Sequence, residues 1–149
     1  MESILRASFF IGILASGVRL ATPYLYAALG ETLSQRSGVL NLGVEGQMLM
    51  GAFAAFYVTS QTGNVWLGML TAMVVGLVMG LAMAFVSVNL QAVQGISGIG
   101  FYLFGLGMST LLFQMLLGTV ETVSGFSPVT IPVLSDIPVV GRILFQQNI

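Results

Sequence analysis

Residues 65–88 read VWLGMLTAMVVGLVMGLAMAFVSV, 24 residues without a formal charge or a proline. At about 1.5 Å per residue, a helix of this length reaches across the ~30 Å hydrocarbon layer of a bilayer. Backbone polar groups in lipid have no water to bond, so they must pair inside the segment, as they do in a helix. A membrane β-strand needs polar and apolar residues in alternation. Val74-Val75-Gly76-Leu77-Val78-Met79 does not alternate. The stretch therefore reads as a membrane-spanning helix and places the chain in the all-α integral membrane class.

Reading outward, the charge-free region extends well past this helix. Between Glu45 and Glu121 lie 75 consecutive residues without a charge, room for three spans. The whole chain of 149 residues is 56% hydrophobic and 6% charged, with four Arg and no Lys. Soluble domains carry about 25% charged residues, so a soluble domain is excluded. A net charge of −1 with no basic cluster argues against nucleic-acid binding. With no Cys and no His, thiol nucleophiles, His-based triads and the usual zinc and haem ligand sets are missing. Without Lys there is no phosphate-cradling GxxxxGK[ST] loop. No cofactor or metal is expected, and the chain is not expected to be an enzyme.

Gly, polar clusters and late prolines divide the chain. About four transmembrane helices are expected, over about 4–33, 42–60, 65–88 and 99–118, forming a bundle across 1–118. The first contains Arg19 and Pro23 and is expected to be kinked. The second is Gly-rich or broken at its start. Gln61-Thr62-Gly63-Asn64 reads as a turn. Residues 119–149 carry Pro128, Pro132 and Pro138 and read as an extramembrane segment, and the ending at Ile149 reads as that of a fragment of a longer protein.

Within the third span, Gly68, Ala72, Gly76, Gly80 and Ala84 recur every four residues. Small residues at this spacing let helices approach closely. Four residues advance about 400°, so the ladder drifts about 40° per step around the helix.

Arg19 lies deep in the first apolar stretch, where a charge costs about 2.5–3.5 kcal/mol on insertion scales. It faces protein or a water-filled path, with Glu45 as the candidate partner, or it snorkels. Ser37-Gly38-Val39-Leu40-Asn41-Leu42-Gly43-Val44-Glu45-Gly46 opens the second span, with Gln47 next. Asn41 is a candidate N-cap, and Glu45 sits in the positive first turn. Broken helices of this kind line substrate sites in transporters; an ordinary capped start at the membrane surface is the alternative. Gln94, Ser97 and Gly98 line a path or cap the fourth span. The candidate path or intramembrane polar residues are thus Arg19, Asn41, Glu45, Gln47, Gln94 and Ser97. The candidate packing glycines are Gly43, Gly46, Gly68, Gly76 and Gly80.

The strings Arg19-Leu20-Ala21-Thr22-Pro23, Ala27-Ala28-Leu29-Gly30-Glu31 and Ser34-Gln35-Arg36-Ser37-Gly38-Val39-Leu40-Asn41-Leu42-Gly43-Val44-Glu45-Gly46 resemble the permease subunits of ABC importers of the branched-chain amino acid, simple-sugar and nucleoside class. The resemblance runs from about Leu14 to Gly118 and is nearest to the nucleoside and simple-sugar members. It implies a transmembrane pair of permeases, same or related, with separate ABC ATPase subunits and an extracytoplasmic solute-binding protein, in the inner (plasma) membrane as a multi-pass protein. It places the N-terminus and the tail outside and the Arg36 and Gln94 loops inside. It also implies a helix break at Gly38–Gly46. Family members typically carry a basic residue and an Asn-Gln pair before the fourth-span Ser-Gly. Here Gln91 and Val93 stand in those places, while Gln94, Ser97 and Gly98 keep the pattern.

The expected function is part of the translocation path of an ATP-driven importer for a nucleoside or similar small polar solute. A small scaffold or channel protein assembling through Gly/Ala packing is the alternative. An integral membrane enzyme would need clustered ionisable groups, and only Arg19, Glu31, Arg36 and Glu45 are at hand.

Overall fold

A computed structural model describes residues 2–118, 122, 123, 125 and 126. The expected Pro-containing segment therefore lies almost wholly outside the described residues. The described elements are all helical. α1 spans Glu2–Arg36, α2 Val44–Thr62, α3 Val65–Ala84 and α4 Gln94–Leu116, and a π-helical turn, Phe85–Asn89, extends α3. Two units are distinct: residues 2–26 with Gly125 and Phe126, and residues 27–118 with 122 and 123. α1 contributes to both.

In the first unit α1 runs through Pro23, which has no N–H to offer the Arg19 carbonyl. Thr22 Oγ1 donates to the Val18 carbonyl at 2.9 Å, adding a side-chain bond one residue before the proline. Arg19 is exposed on this helix.

In the second unit α2 packs directly against α3 and α4. α1 ends because Gly38 adopts φ +83°, a left-handed conformation that costs glycine little. Gly38 N–H donates to the Gln35 carbonyl at 3.0 Å and Val39 N–H to the Ser34 carbonyl at 3.0 Å. That pair of bonds is a Schellman stop. α2 ends similarly, with Gly63 at φ +68° donating to the Thr59 carbonyl at 2.8 Å. Asn64 then caps α3, its side chain accepting from Trp66 N–H at 3.0 Å. The expected turn at 61–64 is therefore only two residues wide, Gly63 and Asn64, because α2 runs to Thr62 and α3 begins at Val65.

The crossing of α2 and α4 is a backbone-to-backbone contact. A Cβ added at Gly43 would stand 2.7 Å from Phe101 Cβ and 2.9 Å from the Gly98 carbonyl oxygen. One at Gly46 would stand 2.7 Å from Tyr102 Cα, and one at Gly98 would stand 2.8 Å from Leu42 N. At Gly105 it would meet the Gly46 backbone itself. These four glycines are all buried, and no larger residue fits them.

The α2–α3 contact uses only the start of the small-residue ladder. A Cβ at Gly68 would meet Thr59 Oγ1 and stand 2.8 Å from the Ala55 carbonyl oxygen, while Gly51 lies against the Ala72 carbonyl. Gly76 and Gly80 have nothing within 4 Å of an added Cβ. By Gly76 the ladder has turned about 80° from Gly68, and Gly80 fronts a cavity that Val44 and Gln47 of α2 also line. Packing expected at Gly76 and Gly80 falls instead on Gly98 and Gly105 of α4.

Three helical segments are long and apolar enough to cross a membrane, Phe9–Arg36, Val65–Asn89 and Gln94–Leu116. α2 is not among them, because Glu45, Gln47, Ser60 and Gln61 lower its apolarity. It instead takes the place between α3 and α4. Outward-facing apolar side chains are abundant, including Leu77, Val78 and Leu81 of α3 and Leu103 and Phe104 of α4. Among the described residues only Met79 and Met83 form a buried apolar core. The chain is an all-α membrane protein whose apolar side chains mostly face outward.

Candidate functional site

The site grows from the loop between α1 and α2, residues 37–43, whose backbone would be short of partners in an apolar setting. Two side chains from distant parts of the second unit supply them. On one flank, Gln94 at the start of α4 accepts from Leu40 N–H at 2.8 Å and donates to the Gly38 carbonyl at 3.1 Å. On the other, Glu31 in the penultimate turn of α1 accepts from Asn41 N–H at 3.1 Å. The same Glu31 oxygen, Oε1, accepts from Gln35 Nε2 at 3.0 Å.

From Asn41 the polar chain passes into α2. Asn41 Oδ1 accepts from Gly43 N–H at 3.0 Å, and Asn41 Nδ2 donates to Gln47 Oε1 at 3.1 Å. Asn41 was expected to cap α2. The cap position is Gly43 instead, with no side-chain cap bond, because the Asn41 amide closes a turn onto Gly43 two residues ahead of the helix.

Glu31, Asn41 and Gln47 line one cavity of about 300 Å³ within this unit. Its wall also includes Ser34, Gly80 and Met83. Glu31 Oε2 and Gln47 Nε2 are buried and have no hydrogen-bond partner. Burying unpaired polar atoms costs roughly 1–3 kcal/mol each, so the cluster beneath the cavity wall is not fully satisfied. A third buried polar atom without a partner, Ser87 Oγ, lies on the π turn.

The sequence-derived candidates divide as follows. Asn41 and Gln47 come together at the cavity. Gln94 acts through the loop, and its side chain caps no helix. Ser97 Oγ donates back to the Val93 carbonyl at 3.1 Å and lines a separate, mostly apolar cavity of about 530 Å³ with Phe101 and Phe104. Glu45 is exposed on the first turn of α2. Arg19 belongs to the first unit and Glu45 to the second. Glu31 is the residue that sequence reading did not rank. Its signal was its position five residues before Arg36 and ten before Asn41, near the end of a long apolar helix. Gln91 takes a left-handed φ of +51°.

No cluster among the described residues has the His, Cys, Asp and Glu content of a metal site.

Comparison with known proteins gives the setting. The family described as "Branched-chain amino acid transport system / permease component" matches residues 13–143. An ABC transporter permease protein of Haloferax volcanii, TsgC13, whose name assigns it provisionally to glucose, is 42% identical over 95% of this chain and 44% of its own length. The guanosine ABC transporter permease protein NupQ of Bacillus subtilis is 34% identical over 85% of this chain and 42% of its own. The nucleoside ABC transporter permease protein NupC of Lactococcus lactis is 29% identical over 91% and 45%. The chain thus spans less than half the length of these relatives. No solved structure matches it. The chain belongs to the branched-chain amino acid transport permease family of ABC transporters.

Proposed function

We propose that this permease chain forms part of the translocation path of an ATP-driven importer for a nucleoside or sugar. The observation that carries the reading is the Glu31–Asn41–Gln47 cluster, which lines a cavity between otherwise apolar helices. Intramembrane polar groups that face a cavity mark solute paths more often than they serve packing. The relatives' names point to glucose, guanosine and nucleosides, all neutral and hydroxyl-rich.

On this reading ATP is hydrolysed by separate ATPase subunits, and a second permease subunit and an extracytoplasmic solute-binding protein complete the importer. The assembly sits in the inner (plasma) membrane, with the Arg36 and Gln94 loops on the cytoplasmic side. The tie from Gln94 to Gly38 and Leu40 holds those two loops together, which suits segments on one membrane face. A scaffold that assembles through its small-residue ladder would account for the open faces of Gly76 and Gly80. It would not account for the polar cluster.

The test is ATP-dependent uptake by the full-length permease reconstituted with its ATPase and binding protein, using a panel of labelled nucleosides and neutral sugars. Uptake of at least one, abolished without ATP, supports the proposal. No ATP-dependent uptake from the panel contradicts it.

A further inference from the structure

We infer that the groove between α3 and α4 seats a membrane-spanning helix of the same permease chain, from the part of the full-length protein outside these 149 residues. The inference concerns the build of the subunit and stands apart from the identity of the solute.

α4 carries two pairs of glycines. Gly98 and Gly105 lie against the α2 segment and are buried. Gly100 and Gly107 repeat the same spacing two residues further on. Two residues turn a helix by about 200°, so the second pair lies on the face opposite α2. Both are exposed, and a Cβ added at either would meet nothing within 4 Å. Glycine weakens a helix interior. At Gly98 and Gly105 the close approach of α2 offsets that loss, whereas at Gly100 and Gly107 no described residue does. Membrane helices meet closely at small residues, so this face suits a second close neighbour. Gln114 continues the line one further repeat along and is also exposed. Between helices its amide can hydrogen-bond across the contact, and against lipid it cannot.

The groove is a separate observation. About 530 Å³ of mostly apolar space opens between Met79, Ala82 and Val86 of α3 and Gly100, Phe101 and Phe104 of α4. It adjoins Gly100, so a helix lying on the glycine face can place its side chains there. The far side of α3 differs in kind. Met73, Val74, Leu77, Val78 and Leu81 are all large, apolar and exposed, a surface that suits lipid chains.

The length of the relatives identifies the occupant. Each matches this chain over less than half of its own length. A full-length permease of that size carries at least as much chain again, enough for several spans of about 20 residues. Covalent linkage makes those spans the most concentrated neighbours this face can have.

The test uses the full-length permease complex in nanodiscs and has two readouts. In the first, nitroxide labels are attached in turn to Phe104→Cys and Leu77→Cys, in a background free of other cysteines. Their accessibility to molecular oxygen, which partitions into lipid, is then compared. The label at 104 is expected to be about fivefold less accessible or better shielded still. Equal accessibility would mean that lipid covers both faces and would overturn the proposal. In the second, Phe104→p-benzoylphenylalanine is irradiated and the product digested for mass spectrometry. The expected product migrates as a single permease chain and joins position 104 to a peptide from outside residues 1–149. A product at the mass of two subunits would assign the face to a second permease, and a lipid adduct would assign it to the bilayer. Either one, or no product at all, overturns the assignment. None of these outcomes depends on solute uptake, so loss of the transport reading and loss of this one are told apart.

Discussion

Glu31 accepts the backbone N–H of Asn41 at 3.1 Å, and through that bond the last turns of α1 hold the loop that opens α2. The arrangement solves two problems at once. A loop N–H that would otherwise lack a partner in an apolar setting gains a carboxyl acceptor. The second carboxyl oxygen stays buried without a hydrogen-bond partner. A Glu so near the end of an apolar helix thus joins the scaffold to the cavity.

Replacing Glu31 by Ala should loosen the loop. The Asn41 N–H and Gln35 amide would lose their acceptor, at about 1–3 kcal/mol. Thermal unfolding in detergent checks this, with Glu31→Gln expected to retain most of the stability.

Gln94→Ala should free the other flank. Hydrogen–deuterium exchange at Leu40 N–H, now held at 2.8 Å by Gln94 Oε1, should quicken by tenfold or more, while amides inside α3 stay as slow as before. An unchanged Leu40 rate would show that the loop holds itself.

Gly46→Ala and Gly105→Ala should each destabilise the bundle, since their Cβ atoms would drive the α2 and α4 backbones apart. Overpacking typically costs about 1–3 kcal/mol, and backbone cannot move aside as a flexible side chain can. Gly76→Ala, with open space around it, should be neutral or gain up to about 1 kcal/mol from helix propensity. Melting temperatures of the three variants decide the matter.

Arg19→Ala and Glu45→Ala should each lower solute-stimulated uptake by the complete importer. Normal uptake at normal expression by both would remove the two residues from the path.

The sequence made the membrane class and the helix count plain, because a 24-residue charge-free run leaves few alternatives. At Gly38 to Gly46 the residues alone left an ordinary capped start and a broken helix both open. What the sequence hid was pairing. Gln94 lies 54 positions from Leu40, and no local rule joins them. Asn41 reads as a cap because caps are local, yet its amide is used between Gly43 and Gln47. Gly76 and Gly80 read as packing residues because spacing alone does not say which face a neighbour covers. The drift around the helix was computable, but the position of α2 was not. The role of α2 as a less apolar helix between α3 and α4 follows from contacts, whereas hydropathy treats each segment alone.

The central claim, that solute passes through the cavity lined by Glu31, Asn41 and Gln47, is open to one direct measurement. The 149 residues contain no Cys, so Ser34→Cys puts their single thiol in the cavity wall, at a residue whose side chain is nearly isosteric. The labelling rate of that thiol by a small maleimide, in the full-length permease complex made Cys-free elsewhere, is measured with and without a transported nucleoside or sugar. The account predicts labelling slowed at least fivefold by saturating solute, and no slowing by a solute that is not transported. Equal rates with and without transported solute would contradict it.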